Sequence, residues 1–169
     1  MNRVKSAVNK FIQGYNANPK HTSSISIAIS INNHPAETNC KLPITVGEYS
    51  AHGAAFKNMV ESGKVTNIYA GIDAELDWNT AELTRAWVNG FTNAGNKSIR
   101  LYNFGDHAGI LYDFSGETDP VINDDWKASD IHYISWGNKC SYCFPQIYVE
   151  DCAKQWAYQK NGKVYILKV

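Results

Sequence analysis

The stretch Asn67–Thr80, NIYAGIDAELDWNT, decides how the rest of the chain is read. Its first half is apolar, with Ile68, Tyr69, Ala70 and Ile72, and reads as a buried strand. Its second half puts Asp73, Glu75 and Asp77 on alternate positions. Three acids at the end of a buried strand cost stability unless something uses them. Residues two apart on a strand share a face, so Asp73 and Glu75 can both point into one cleft, with β-carbons about 6–7 Å apart. Asp77 adjoins Trp78, Asn79 and Thr80, which read as a helix start, where a carboxylate is favoured by the helix dipole. The pattern therefore predicts two acids for the cleft, with Asp77 turned outward.

Paired carboxylates can do acid–base chemistry. Two close acids raise the pKa of one, giving a proton donor beside an ionised partner. Separations of about 5–5.5 Å or somewhat more suit the two arrangements used to cleave glycosidic bonds. A divalent cation is the competing use, since calcium and magnesium take oxygen ligands. No phosphate-cradling glycine motif, H-E-x-x-H or G-x-S-x-G accompanies the acids. His21, His34, His52, His107 and His132 are scattered. We expect no metal site and no cofactor.

Outward from this stretch, helix and strand alternate. A helix is predicted over Asn2–Tyr15, where Val4, Ala7, Val8, Phe11 and Ile12 recur at helical spacing. Ser23–Asn32 alternates isoleucine with small residues and reads as a strand, followed by a long loop through residue 50. Ala51–Lys64 reads as a helix, Val65–Leu76 as a strand, and Asn79–Gly95 as a helix with Asn79 or Thr80 as its cap. Ser98–Gly105 and Asp130–Gly137 read as strands separated by a polar loop. Phe144–Val149 reads as a short strand, Glu150–Gln159 as a helix and Lys163–Val169 as a closing strand. The order argues for a single α/β domain over 1–169 with a mostly parallel sheet. In such folds the site lies at the carboxyl ends of the strands. Asn32 and Asn33, Asp73, Asn103 and Trp136 all fall at such predicted ends.

Composition narrows the classes. Lysine plus arginine equals aspartate plus glutamate at 16 each, so no basic excess points to nucleic acid or a membrane surface. No apolar run approaches the ~18 residues of a membrane span. The first residues, MNRVKSAVNKFIQGYN, lack the plan of a signal peptide. Ten tyrosines and five tryptophans can fill a core or stack on sugar faces. Among Cys40, Cys140, Cys143 and Cys152, the C-x-x-C pair leaves three readings open. They are unpaired thiols, a disulfide from Cys143 to Cys140 or Cys152, or zinc with Cys40 and Cys152. We expect no four-cysteine zinc site, because Cys40 lies about a hundred residues away and no histidine has ligand spacing to the pair.

The segments GIDAELDWNT, TRAWVNGF, RLYNFG, IHYISWG, FPQIY and AKQWAY, with AISINN and YSAHGAAF before them, resemble a known domain. It is a glycoside-hydrolase-like domain of bacterial cell-wall-associated proteins, related to the barrel-type muramidases of glycoside hydrolase family 25. The likeness runs from about Ser24 to Tyr158. It implies a TIM-barrel-like (β/α) fold, incomplete or divergent here because the chain opens on a helix in place of the first, acid-bearing strand. It implies hydrolysis of a β-linked glycan such as peptidoglycan, with Glu75 as the acid and Asp73 as its partner. Asn32, Asp77, Asn103, Trp136, Gln146 and Tyr148 would bind the sugar. The alternative is a degenerate module that holds a wall glycan without cutting it. The resemblance also implies a secreted or wall-associated setting.

Overall fold

The computed structural model describes residues 2–20, 23–34, 45–62, 68–95, 99–106, 119–123 and 125–161. Helix α1 (Asn2–Asn16) precedes strand β1 (Ile27–Asn32). Then come α2 (Val46–Glu61), β2 (Ile68–Asp73), α3 (Ala81–Asn93) and β3 (Leu101–Asn103). A hairpin of β4 (Val121–Asn123) and β5 (Trp126–Lys127) leads into α4 (Ala128–Ser135), β6 (Ser141–Cys143) and α5 (Glu150–Asn161). The main sheet has the order β1-β2-β3-β6, and every pairing in it is parallel. The mixed α/β class and the mostly parallel sheet agree with the sequence reading. No closed barrel forms among the described residues.

Registered positions sort the strand residues by face. Ile29, Ala70 and Leu101 lie side by side, and Ile72 is registered with Asn103. The four apolar residues are buried together with Phe56 and Val60 of α2, Val88 and Phe91 of α3, and Ile131 and Ile134 of α4. Full burial of a side chain such as Leu101 contributes about 1.5–3 kcal/mol. Helix α2 lies directly on α3 because each supplies a glycine at the crossing. A β-carbon on Gly53 would stand 1.9 Å from the Trp87 carbonyl oxygen, and one on Gly90 would stand 1.8 Å from that of Ser50. Neither clash can be relieved without parting the helices.

The other face of the sheet carries polar and aromatic side chains, with the Phe104 ring lying over Gly71. Ala28, Ser30 and Asn32 are exposed on it, and Tyr69, Tyr102 and Tyr142 form a ladder of rings with centroids 5.6 and 5.8 Å apart. Arg100 stacks 4.9 Å from the Tyr142 centroid at one end of that ladder. No described helix is long and apolar enough to cross a membrane.

Several boundaries differ from the sequence reading. Asp130–Gly137 is not a strand, since Ala128–Ser135 is helical. Ile131, Tyr133 and Ser135 mimic period two, but the buried set is Ile131, Ile134 and Ser135, which is helical spacing. Asp130 fixes the start by accepting from Lys127 N at 3.0 Å. The strand expected at Phe144–Val149 lies instead at Ser141–Cys143. The ladder closes with Phe144 N donating to Asn103 O, and Pro145 has no N–H to extend it. Helix α2 starts at Val46 rather than Ala51, because Thr45 and Glu48 form a capping box. The polar loop before α4 contains the β4–β5 hairpin. The closing strand expected at Lys163–Val169 lies outside the described residues, as does Cys40.

Candidate functional site

Strand β2 ends at Asp73, so Glu75 stands in the irregular turn just beyond it rather than on the strand. The two carboxyls nevertheless lie close enough for each to shift the other's pKa. Both are half-buried. What brings them together is a set of contacts around Glu75. The Asn33 side chain, on the chain leaving β1, accepts from Glu75 N at 3.0 Å and donates to Glu75 O at 2.9 Å. The Asp106 amide donates to Glu75 Oε1 at 3.2 Å. Asp106 is carried by a turn that packs tightly under residue 74. A β-carbon on Gly105 would lie 2.0 Å from the Ala74 carbonyl oxygen, so only glycine lets the two turns touch.

The electrostatics follow from this crowding. Partial burial, then the charges of Asp73 and Asp106, push the Glu75 pKa up to about 7. Burial also raises Asp73, while its hydrogen bond from Glu75 pulls the other way. Of the two, Glu75 is the acid that keeps its proton up to the neutral range. Gln146 Nε2 stands 3.5 Å from Asp73 Oδ1, a long contact that brings the segment after β6 over the pair. An acid protonated near neutrality beside an ionised carboxylate can donate a proton and stabilise a neighbouring positive charge.

The residues singled out in the sequence fall into two groups. Asn32 is registered with Asp73 and exposed on the same face, and Gln146 reaches the pair. Tyr148 is 79% exposed, two residues beyond Gln146. The others lie elsewhere. Asp77 points outward and accepts from Asn123 of the hairpin. The cap of α3 is Thr80, which accepts from Leu83 N at 3.3 Å. Asn103 is buried on the helix side of the sheet, donating to Ser135 Oγ at 3.0 Å and accepting from Gly105 N at 3.1 Å. It supports the Asp106 turn and does not face the cleft. Trp136 sits at the end of α4 with its ring against Trp156, 5.9 Å between centroids. Sequence reasoning missed Asp106 and the role of Asn33. The only signal for Asp106 was its place at the end of the strand that carries Asn103.

An apolar cavity of about 430 Å³ lies beside β1, its apolar lining drawn from Val4, Ile29, Tyr49, Phe56, Met59 and Trp87. No carboxylate lines it, so the acid pair and not this cavity is the candidate centre. Among the described residues, no disulfide joins Cys140, Cys143 and Cys152 to one another. Among the described residues, no three His, Cys, Asp or Glu side chains are arranged to hold a metal ion. No family model matches the chain, and no curated protein or solved structure is significantly similar to it.

Proposed function

We propose that the chain is a glycoside hydrolase of the family 25 muramidase-related kind, acting on a β-linked glycan such as peptidoglycan. The observation that carries this reading is the crowding of Asp73, Glu75 and Asp106 at the end of β2, which pushes the Glu75 pKa up to about 7. The fold supports it: four parallel strands in chain order, with their helices on one face, match half of a (β/α)8 barrel. On that reading the aromatic face corresponds to the interior of the barrel, and the acids stand at the carboxyl ends of the strands, where such folds place their chemistry.

In the reaction, Glu75 gives its proton to the glycosidic oxygen as the bond from that oxygen to the anomeric carbon breaks. Asp73 stabilises the positive charge that develops on the sugar ring. On this reading the nucleophile is the acetamido oxygen of the substrate, with Asp73 orienting it. Water then opens that intermediate and returns a proton to Glu75. Asn32 and Gln146 border the sugar site.

A second reading, a module that holds glycan without cutting it, is favoured by the exposed rings of Phe144 and Tyr148 on either side of Gln146. Turbidity clearing of a cell-wall suspension, run beside a pull-down on insoluble peptidoglycan, separates the two. Clearing by the native chain that disappears in Glu75→Gln supports the enzyme. Retention on the pellet with no clearing by either protein supports the binding module, and clearing that survives Glu75→Gln removes Glu75 from the mechanism.

A further inference from the structure

We infer that Asn33 is the positioning residue of the acid pair, holding the Glu75 backbone so that its carboxyl stays against Asp73 and the Asp106 amide. This rests on the reading of Glu75 as the proton donor. The ladder between β1 and β2 ends with Asn32 opposite Asp73, and Asn33 N donates to Asp73 O at 3.1 Å. The main-chain ladder goes no further. The Asn33 side chain supplies the next rung instead, bonding both the N–H and the carbonyl of Glu75.

Every polar group of Asn33 is committed. Its second side-chain N–H donates to Thr84 Oγ1 of α3 at 3.2 Å. Its carbonyl accepts from Asn79 Nδ2 at 2.9 Å. Asn33 is 5% exposed, so water does not compete for these bonds. A primary amide on a one-carbon stem offers an acceptor to Glu75 N and a donor to Glu75 O from two separate atoms, each matched to its backbone partner. A flipped amide would set donor against donor at Glu75 N and acceptor against acceptor at Glu75 O. Glu75 is thus tied to β1 and α3 although it lies outside the strand. Without the tie, the turn over residues 74–78 loses its lateral support and the carboxyl can swing towards solvent, away from Asp73 and Asp106.

The test uses the whole chain with Asn33→Ala and Asn33→Ser, and Val60→Ala as a core variant of lowered stability far from the acids. Two readouts are taken: the carboxyl titration of Glu75 by carbon-13 NMR, and kcat and KM on soluble peptidoglycan fragments. A positioning role requires the Glu75 midpoint in Asn33→Ala to fall from about 7 towards the ordinary 4.5 by at least about one pH unit. It also requires kcat to fall about 100-fold, the scale of an ångström misplacement, with KM little changed. Asn33→Ser, which keeps one donor and one acceptor, should fall between, and Val60→Ala should titrate as the native chain does. A folded Asn33→Ala with an unmoved Glu75 midpoint overturns the inference. So does failure of both Asn33 variants to fold, since positioning requires a folded protein with a displaced acid. If the native chain cleaves no glycan, the proposed function fails, while the NMR titration still decides the role of Asn33.

Discussion

Replacing Glu75 with glutamine should make the protein more stable at alkaline pH while abolishing hydrolysis. Glutamine keeps the shape, can donate to Asp73 as the protonated acid does, and can accept from the Asp106 amide. It removes only the ability to ionise. In the folded chain the Glu75 pKa is pushed up to about 7, against an ordinary value of 4.5. The folded state therefore binds this proton more tightly than the unfolded state. The stability linked to it is complete below pH 4.5 and is lost as pH rises through 7. The full gap corresponds to about 3 kcal/mol. Glu75 is only partly buried, and solvent screening reduces this to about 1–2 kcal/mol. For a chain of this length that is a shift in Tm of about 3–6 °C. Thermal unfolding of the native chain and Glu75→Gln, followed by circular dichroism from pH 4 to 8.5, gives the difference curve. It should be near zero at pH 4 and rise in favour of Glu75→Gln, levelling above pH 7. A flat difference curve, or one that favours the native chain at high pH, refutes the account of Glu75 as a strained, crowded acid.

The remaining expectations are narrower. The kcat for glycan cleavage should decline as pH rises through about 7, where Glu75 loses the proton it donates, and a pH–rate profile reads this directly. Asp73→Asn should remove activity, and it should also lower the Glu75 midpoint by deleting a neighbouring charge, which carboxyl NMR would reveal. Thr80→Ala should cost about 1 kcal/mol through loss of the α3 cap, while Asp77→Asn, at an exposed position, should change stability by less than about 0.5 kcal/mol; urea unfolding distinguishes them. Gly90→Ala should destabilise by about 3 kcal/mol or more, because its β-carbon meets the Ser50 backbone, and the same urea curves measure it.

Much of the fold was legible because the sequence states it locally. Helix α3 carries its cap, its acidic first turn and its apolar stripe within a dozen residues, and the structure places it at Ala81–Asn93. Strand β2 was legible from its unbroken apolar run. Helix α4 was not, because eight residues hold too few repeats to separate period two from period 3.6. What decides it is Asp130, which reaches back to Lys127 N and pairs with Arg85 of α3 at 2.6 Å. The second of these is a contact across 45 residues, invisible to any window. The three-residue strand β6 exists only because β3 offers an edge to pair with, so its place is set by Leu101–Asn103 and not by its own composition.

The acids show the same division between local and distant causes. Alternation joined Asp73 to Glu75, and the helix start after Asp77 set that acid aside, but the first reading rested on an incomplete reason. Strand periodicity does not hold Glu75 in place, since the strand has ended two residues earlier. The pairing is imposed by Asn33 from 42 positions upstream and by the Asp106 amide from 31 positions downstream. An asparagine after a strand has an ordinary reading as a turn residue, and nothing in SINNH marks its second asparagine as a clamp rather than its first. Asn103 and Trp136 failed as cleft residues for a related reason. A strand end has two faces, and sequence position alone does not say which. Asn103, registered with the buried Ile72, points to the helices, where it steadies the turn bearing Asp106. The paired carboxyls were therefore readable from residue type and spacing. The groups that tune them were not, because each acts through a backbone hydrogen bond that any residue could make if the fold delivered it there.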